Sequence, residues 1–179
     1  MKESPYTKTE IDAALAESFL AVHQALDAYN GGAFFQSNGG KWSIAEQIQH
    51  LIQSTFPVAS ALKQPHKRLA AFGSPDQPTR PFPDLKAAYM EVLKNGARAT
   101  GAYIPQLKPE DQRDQLLDNW QKIGLKFRQR LAEWQEEELD QYALIHPVLG
   151  KLSVREMLFF TIFHNYHHLN SIEELIKRN

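Results

Sequence analysis

The chain has 179 residues, no cysteine and a formal net charge of −1, with 42% apolar and 23% charged residues. That is the composition of an ordinary globular protein large enough to bury a continuous core. The missing cysteines exclude disulfides, thiolate metal sites and a cysteine nucleophile, and the 20 basic residues are spread along the chain rather than gathered into the stripe of a nucleic-acid surface.

The N-terminal stretch MKESPYTKTEIDAALAESF has no apolar run after its charged start, so it does not read as a signal peptide. Between Thr9 and Asn30 the residues Ile11, Leu15, Phe19, Val22 and Leu26 recur at spacings of three and four, which predicts an amphipathic helix. The glycines of YNGGAFFQSNGG, with Asn30-Gly31 as a stop signal, end it. KWSIAEQIQHLIQSTF opens the second helix, with Ser43 and Glu46 as a capping box. From Pro65 to Pro83 the chain carries five prolines, which predicts a long loop without a long regular element.

DLKAAYMEVLKNGARA is a third, shorter helix, with Leu85, Ala88, Tyr89 and Val92 on one side. KPEDQRDQLLDNWQKIGLKFRQRLAEWQEEELD is a fourth, with Pro109 and acidic residues at its start, as the helix dipole prefers. Its EWQEEELD end reads as solvated, and Trp120, Phe127 and Trp134, spaced by seven, read as core or dimer-seam residues. HPVLGKL is a turn, and a second capping box, Ser153 with Glu156, opens the last helix. No stretch approaches the ~18 uncharged apolar residues of a membrane span. The sequence therefore predicts a soluble, cytoplasmic, all-α protein: one domain over residues 1–179, built as a four-helix bundle with a long crossover loop and one additional short helix.

Within the last helix stands HNYHH. His164 and His168, four residues apart, lie about 40° from each other around the helix and about 6 Å apart along it, so both can reach one atom. His167 lies about 60° to the other side of His164. The spacing suits metal chelation by imidazole, and it equally suits histidines hydrogen-bonded within a core. Asn165 follows His164, so the glutamate base of an HExxH protease is absent. His50, among Ile48, Leu51 and Ile52 on the second helix, is a candidate third nitrogen, since bundles build metal sites from facing helices. Three nitrogens would leave a coordination position open. Of the other histidines, His23 reads as solvent-facing or at the edge of a site, His66 as solvated, and His146 as a structural hydrogen-bonding residue in the turn.

KWSIAEQIQHL followed by HPVLGKLSVREMLFFTIFHNYHHLNSI resembles the DinB-like superfamily, which includes YfiT-type metal-dependent hydrolases. Its motifs fall on Trp42, Ser43, Glu46, His50 and Leu51, on His146, Pro147, Gly150 and Leu152, and on His164, His167, His168 and Leu169. The resemblance implies a DinB/YfiT-type four-helix bundle with a divalent metal held by His50, His164 and His168, and with His167 beside the metal but not on it; three histidines suit zinc, nickel, iron or copper, with zinc or nickel the first expectation. Family members include S-transferases that use low-molecular-weight thiols such as bacillithiol, and a mycothiol-dependent isomerase. The chain departs from the family at Ser171, where a glutamine often stands, and that puts inherited contacts around the ligands in doubt.

Three readings stay open on the sequence. The first is a metal-dependent thiol S-transferase or hydrolase acting on a small-molecule substrate, with a thiol cosubstrate from solution because the chain has no cysteine. The second is a non-catalytic metal- or ligand-binding module related to stress, and the third is a bundle whose histidines only pack. Glu46 is the one carboxylate near His50 in sequence, and its capping role competes with any role as a base. Dimerisation is compatible with the aromatic stripe. Partners of other kinds, nucleic acid and membrane, are not expected.

Overall fold

Three long helices begin at a side chain that closes on their own backbone. In the computed structural model, which describes residues 6–29, 31–37, 39–64, 66–108 and 111–178, Thr7 and Glu10 form a capping box at α1 (Lys8–Asp27) and Ser43 and Glu46 at α2 (Ile44–Leu62). At α7 (Val154–Arg178) the Ser153 N–H donates to Glu156 Oε2 at 3.0 Å and the Glu156 N–H donates to Ser153 Oγ at 3.1 Å. Each pair satisfies two donors that a helix start leaves bare. The fourth long helix, α5 (Arg113–Ala132), starts without a side-chain cap.

α1 and α2 each pack on both α5 and α7, so α1 and α2 occupy opposite corners of the bundle. The chain therefore crosses the bundle between α1 and α2, and again between α5 and α7. Crossover connections are thus present, but they lie between α1 and α2 and between α5 and α7, whereas the proline-rich span leads from α2 toward its neighbour α5. The expected shorter helix is α4 (Phe82–Lys94), which lies against α7 with Leu85 and Tyr89 buried. Trp120, Phe127 and Trp134 are core residues of the chain, each at most 1% exposed. Asn30, Pro65 and Pro109, used above to place helix ends and the loop, lie outside the described residues.

Several elements differ from the sequence reading. α2 continues through Pro57 to Leu62, although an interior proline costs about 3 kcal/mol. Burial of Val58, Ala59 and Leu62 offsets that cost, and neighbouring side chains satisfy carbonyls near the helix end. Arg130 Nη1 donates to the Ala59 carbonyl at 2.5 Å and the Trp134 indole to the Leu62 carbonyl at 3.0 Å.

The same turn of Trp134 into the core ends α5 at Ala132, and EWQEEELD is more than a solvated helix end. It contains the short helix α6 (Glu138–Gln141) and two carboxylates, Glu136 and Asp140, that pair with the buried Arg155 at 2.6 and 2.8 Å. The proline-rich span holds the short helix α3 (His66–Leu69) and a 3₁₀ turn, Ala70–Phe72. His66 is not free in solvent: it pairs with Glu138 at 3.1 Å and packs against Trp134.

HPVLGKL is the centre of a β-hairpin rather than a simple turn. β1 (Ala143–His146) pairs antiparallel with β2 (Gly150–Ser153), with His146 opposite Gly150. Gly150 has φ +73°, the left-handed conformation that closes such loops and favours glycine. The strands are too short to show an alternating pattern in the sequence. Among the described residues, no helix is long and apolar enough to cross a membrane.

Candidate metal centre

α2 and α7 bring His50, His164 and His168 together. All three are buried, at 6%, 4% and 7% exposure, and one nitrogen from each lies within 4.8 Å of the others. His164 Nε2 stands 3.2 Å from His50 Nε2 and 3.0 Å from His168 Nε2. The two residues from the last helix and the one from the second thus converge as the sequence reading expected.

The backbone and a neighbouring amide fix the direction of two of these rings. His50 Nδ1–H donates to the Tyr103 carbonyl at 2.7 Å, and His168 Nδ1–H donates to Gln47 Oε1 at 2.5 Å. With their protons on Nδ1, His50 and His168 present bare Nε2 lone pairs to His164. A single His164 Nε2–H can serve only one of them well, so the cluster lacks positive charge at its centre. A divalent ion would fit there, since tetrahedral nitrogens at 2.0–2.1 Å from zinc stand about 3.3 Å apart. The observed separations of 3.0 and 3.2 Å fit that edge.

Burial also holds these imidazoles neutral, the form a metal needs. Desolvation lowers the His50 pKa, against the opposing pull of the Tyr103 carbonyl. It pushes His164 and His168 well below the ordinary histidine value, and repulsion from the neighbouring imidazoles adds to it. Aromatic rings enclose the group: Trp42 lies 4.9 Å from His50 and stacks at 6.3 Å on His168, and Phe160 stacks at 4.9 Å on His164.

The centre opens on a cavity of about 900 Å³, whose walls include Pro57, Val58, Phe72 and Leu93 besides the histidines. None of the described residues lining it is Asp or Glu. A smaller hollow of about 540 Å³ adjoins it, sharing Trp42, Arg98 and Ala99. Half-buried His167 stands on the cavity wall outside the triad.

Glu46 does not line the cavity. Its Oε2 accepts from the Ser43 N–H and from Ser37 Oγ, both at 2.6 Å, which leaves it in its capping role. Asn165 and Tyr166 turn toward α1: Asn165 Nδ2 donates to Ser18 Oγ at 3.0 Å, and Tyr166 hydrogen-bonds Glu17. His23 is half-buried on α1 and does not line the cavity.

Two residues at the site, Gln47 and Tyr103, carry roles that sequence reasoning missed, while a third, His146, makes the structural hydrogen bonds expected of it in the turn and also lines the cavity. Gln47 orients His168 from the opposite helix, so a glutamine does serve the site although position 171 is serine. Ser171 Oγ donates to the His167 carbonyl at 3.4 Å instead. The signal for Gln47 was its place three residues before His50, on the same face of α2. Tyr103 acts through its carbonyl, which no side-chain pattern reveals. His146 is buried beside the centre, its ring 4.2 Å from Phe160, and burial pushes its pKa down to about 4.

The model of the DinB superfamily matches residues 14–172. No curated protein matches the chain significantly. Among solved structures the chain is similar to YfiT from Bacillus subtilis, described as a probable metal-dependent hydrolase with an unusual four-helix bundle topology. The two are 16% identical, with a TM-score of 0.64 over 96% of this chain and 86% of that one. At that identity the likeness is one of fold.

Proposed function

The chain belongs to the DinB superfamily, and on that premise we propose that it is a metal-dependent enzyme. In this reading His50, His164 and His168 hold a zinc or nickel ion, and the adjoining cavity takes a small-molecule substrate. The observation that carries the reading is the convergence of three buried imidazole nitrogens, two at 3.0 and 3.2 Å from the third, with hydrogen bonds behind two of the rings. A neighbouring fold described as that of a probable metal-dependent hydrolase supports it.

When bound, a divalent ion there supplies Lewis acidity and lowers the pKa of a water or thiol at its open position toward neutrality. The protein's own residues do the rest. Tyr103 and Gln47 hold the rings so that Nε2 faces the centre, and Trp42 and Phe160 shield the cluster from solvent. The apolar wall receives the body of the substrate.

Within this class, thiol S-transfer suits the cavity well. A solution thiol gives up its proton to solvent, its sulfur forms a bond to an electrophilic carbon, and the leaving group departs with its electron pair. No carboxylate base is required, and none of the described residues lining the cavity supplies one. The same absence favours, as a second reading, a non-catalytic metal- or ligand-binding module.

Conjugation kinetics separate the two. Protein loaded with Zn²⁺ or Ni²⁺ is expected to accelerate displacement of chloride from monochlorobimane by bacillithiol or a simpler thiol, and His164→Ala is expected to abolish the acceleration. Equal rates for the two proteins across several thiols would remove the transferase reading.

A further inference from the structure

His146 sits where a ligand would meet it, and its tautomer is fixed by the hairpin. Its Nδ1 accepts from the Val148 N–H at 3.2 Å and from the Leu149 N–H at 3.1 Å. A ring nitrogen that accepts carries no proton, so the neutral ring holds its proton on Nε2. The loop that makes these bonds is pinned by the His146–Gly150 pair and by the left-handed Gly150. Nε2, on the other side of the ring, meets no acceptor among the described residues, and the residue lines the cavity. The donor is therefore left to whatever occupies the cavity.

Position and charge say what that partner is. The His146 ring packs edge-on against Phe160, which stacks on His164, so the donor is one aromatic ring away from the histidine cluster. Among the described residues lining the cavity, Arg98 is the one that is permanently charged, and none is a carboxylate. An anion enters without repulsion, whereas a cation finds no counter-charge. The apolar surface of Pro57, Val58, Phe72 and Leu93 suits an aryl or alkyl body.

We infer that His146 is a ligand-positioning residue whose Nε2–H is a fixed, neutral hydrogen-bond donor to an oxygen of a small apolar carboxylate held in this cavity. A neutral histidine used as a donor rather than as a base is an established way to hold a substrate oxygen. The inference rests on the cavity being the substrate site, as proposed above, and does not depend on which metal is bound.

Benzoate is the probe and benzylamine, similar in shape and opposite in charge, the comparison. His146→Asn keeps an acceptor where Nδ1 receives the Val148 and Leu149 N–H groups and removes the Nε2 donor. His146→Gln places an amide N–H near the Nε2 position. Calorimetry on the full chain, with metal content measured in the same samples, is expected to show benzoate binding and no benzylamine binding. His146→Asn should weaken benzoate about tenfold or more at wild-type melting temperature and metal content, and His146→Gln should recover part of the loss.

Nitrogen-15 spectra of the wild-type protein should show an unprotonated Nδ1 and a protonated Nε2 that shifts on addition of benzoate, a readout independent of how any variant folds. Absence of benzoate binding, equal affinity in a folded His146→Asn, or a protonated Nδ1 would overturn the inference. His146-dependent benzoate binding by protein that takes up neither Zn²⁺ nor Ni²⁺ on incubation would sink the metal reading and leave this one standing.

Discussion

Gln47 and His168 join the second helix to the last across the bundle interior: the imidazole Nδ1–H donates to the Gln47 amide oxygen at 2.5 Å. The bond fixes both the tautomer of His168 and the direction of its Nε2. Outer partners of this kind typically contribute 10–100-fold to metal affinity. Gln47→Ala is therefore expected to weaken Zn²⁺ binding by about 10–100-fold, measured by competition with a chromophoric chelator, while leaving one ion per chain at saturation. An affinity equal to wild type would mean that His168 needs no such orientation.

Acid should destabilise the metal-free protein. Burial lowers the pKa values of His50, His164 and His168, and takes His146 down to about 4. In the unfolded chain these groups titrate near 6.5. Below about pH 6.5 the unfolded chain thus takes up protons that the fold refuses, and stability drops as pH falls. For His146 the window runs from about 6.5 to about 4. The slope is about 1.4 kcal/mol per pH unit for each such histidine. Urea midpoints of chelator-treated protein are expected to hold level above neutrality and to decline steeply between about pH 6.5 and 5. A midpoint that stays level across that window contradicts the buried neutral cluster.

Arg155 is 2% exposed and ties three segments together. It pairs with Glu136 and Asp140 and donates to the carbonyls of Tyr6 and Glu136. Removing one partner of a buried pair costs about 3–5 kcal/mol. Because its two carboxylates are 42% and 39% exposed, solvent can recover part of that cost. Arg155→Met is expected to lower unfolding free energy by about 2–3 kcal/mol without changing metal stoichiometry. A loss below about 0.5 kcal/mol, the range of ordinary surface substitutions, would show that the network contributes little.

How much of this was legible beforehand follows from the range of each interaction. Helix starts depend on residues three apart, so Ser43–Glu46 and Ser153–Glu156 could be read directly. Apolar periodicity likewise announced the long helices. The triad was legible only as a juxtaposition: spacing joined His164 to His168, the apolar stripe of the second helix offered His50 as a candidate, and motif resemblance joined the three. What the sequence concealed is tertiary. The end of α2 beyond Pro57 is closed by donors from Arg130 and Trp134 to the Ala59 and Leu62 carbonyls, the acidic stretch after Ala132 pairs with Arg155, and the Tyr103 carbonyl comes from a connecting segment with no pattern of its own. The hairpin around His146 is too short for alternation to show, so its structural hydrogen bonds were expected and its place on the cavity wall was not.

The central claim is that His50, His164 and His168 form one metal site. Elemental analysis of protein prepared without an affinity tag tests it most directly. The account expects about one zinc or nickel ion per chain, lost together with the metal-dependent rise in melting temperature in His50→Ala, His164→Ala and His168→Ala. Less than about 0.2 ion per chain after incubation with either metal, unchanged by those substitutions, would contradict it.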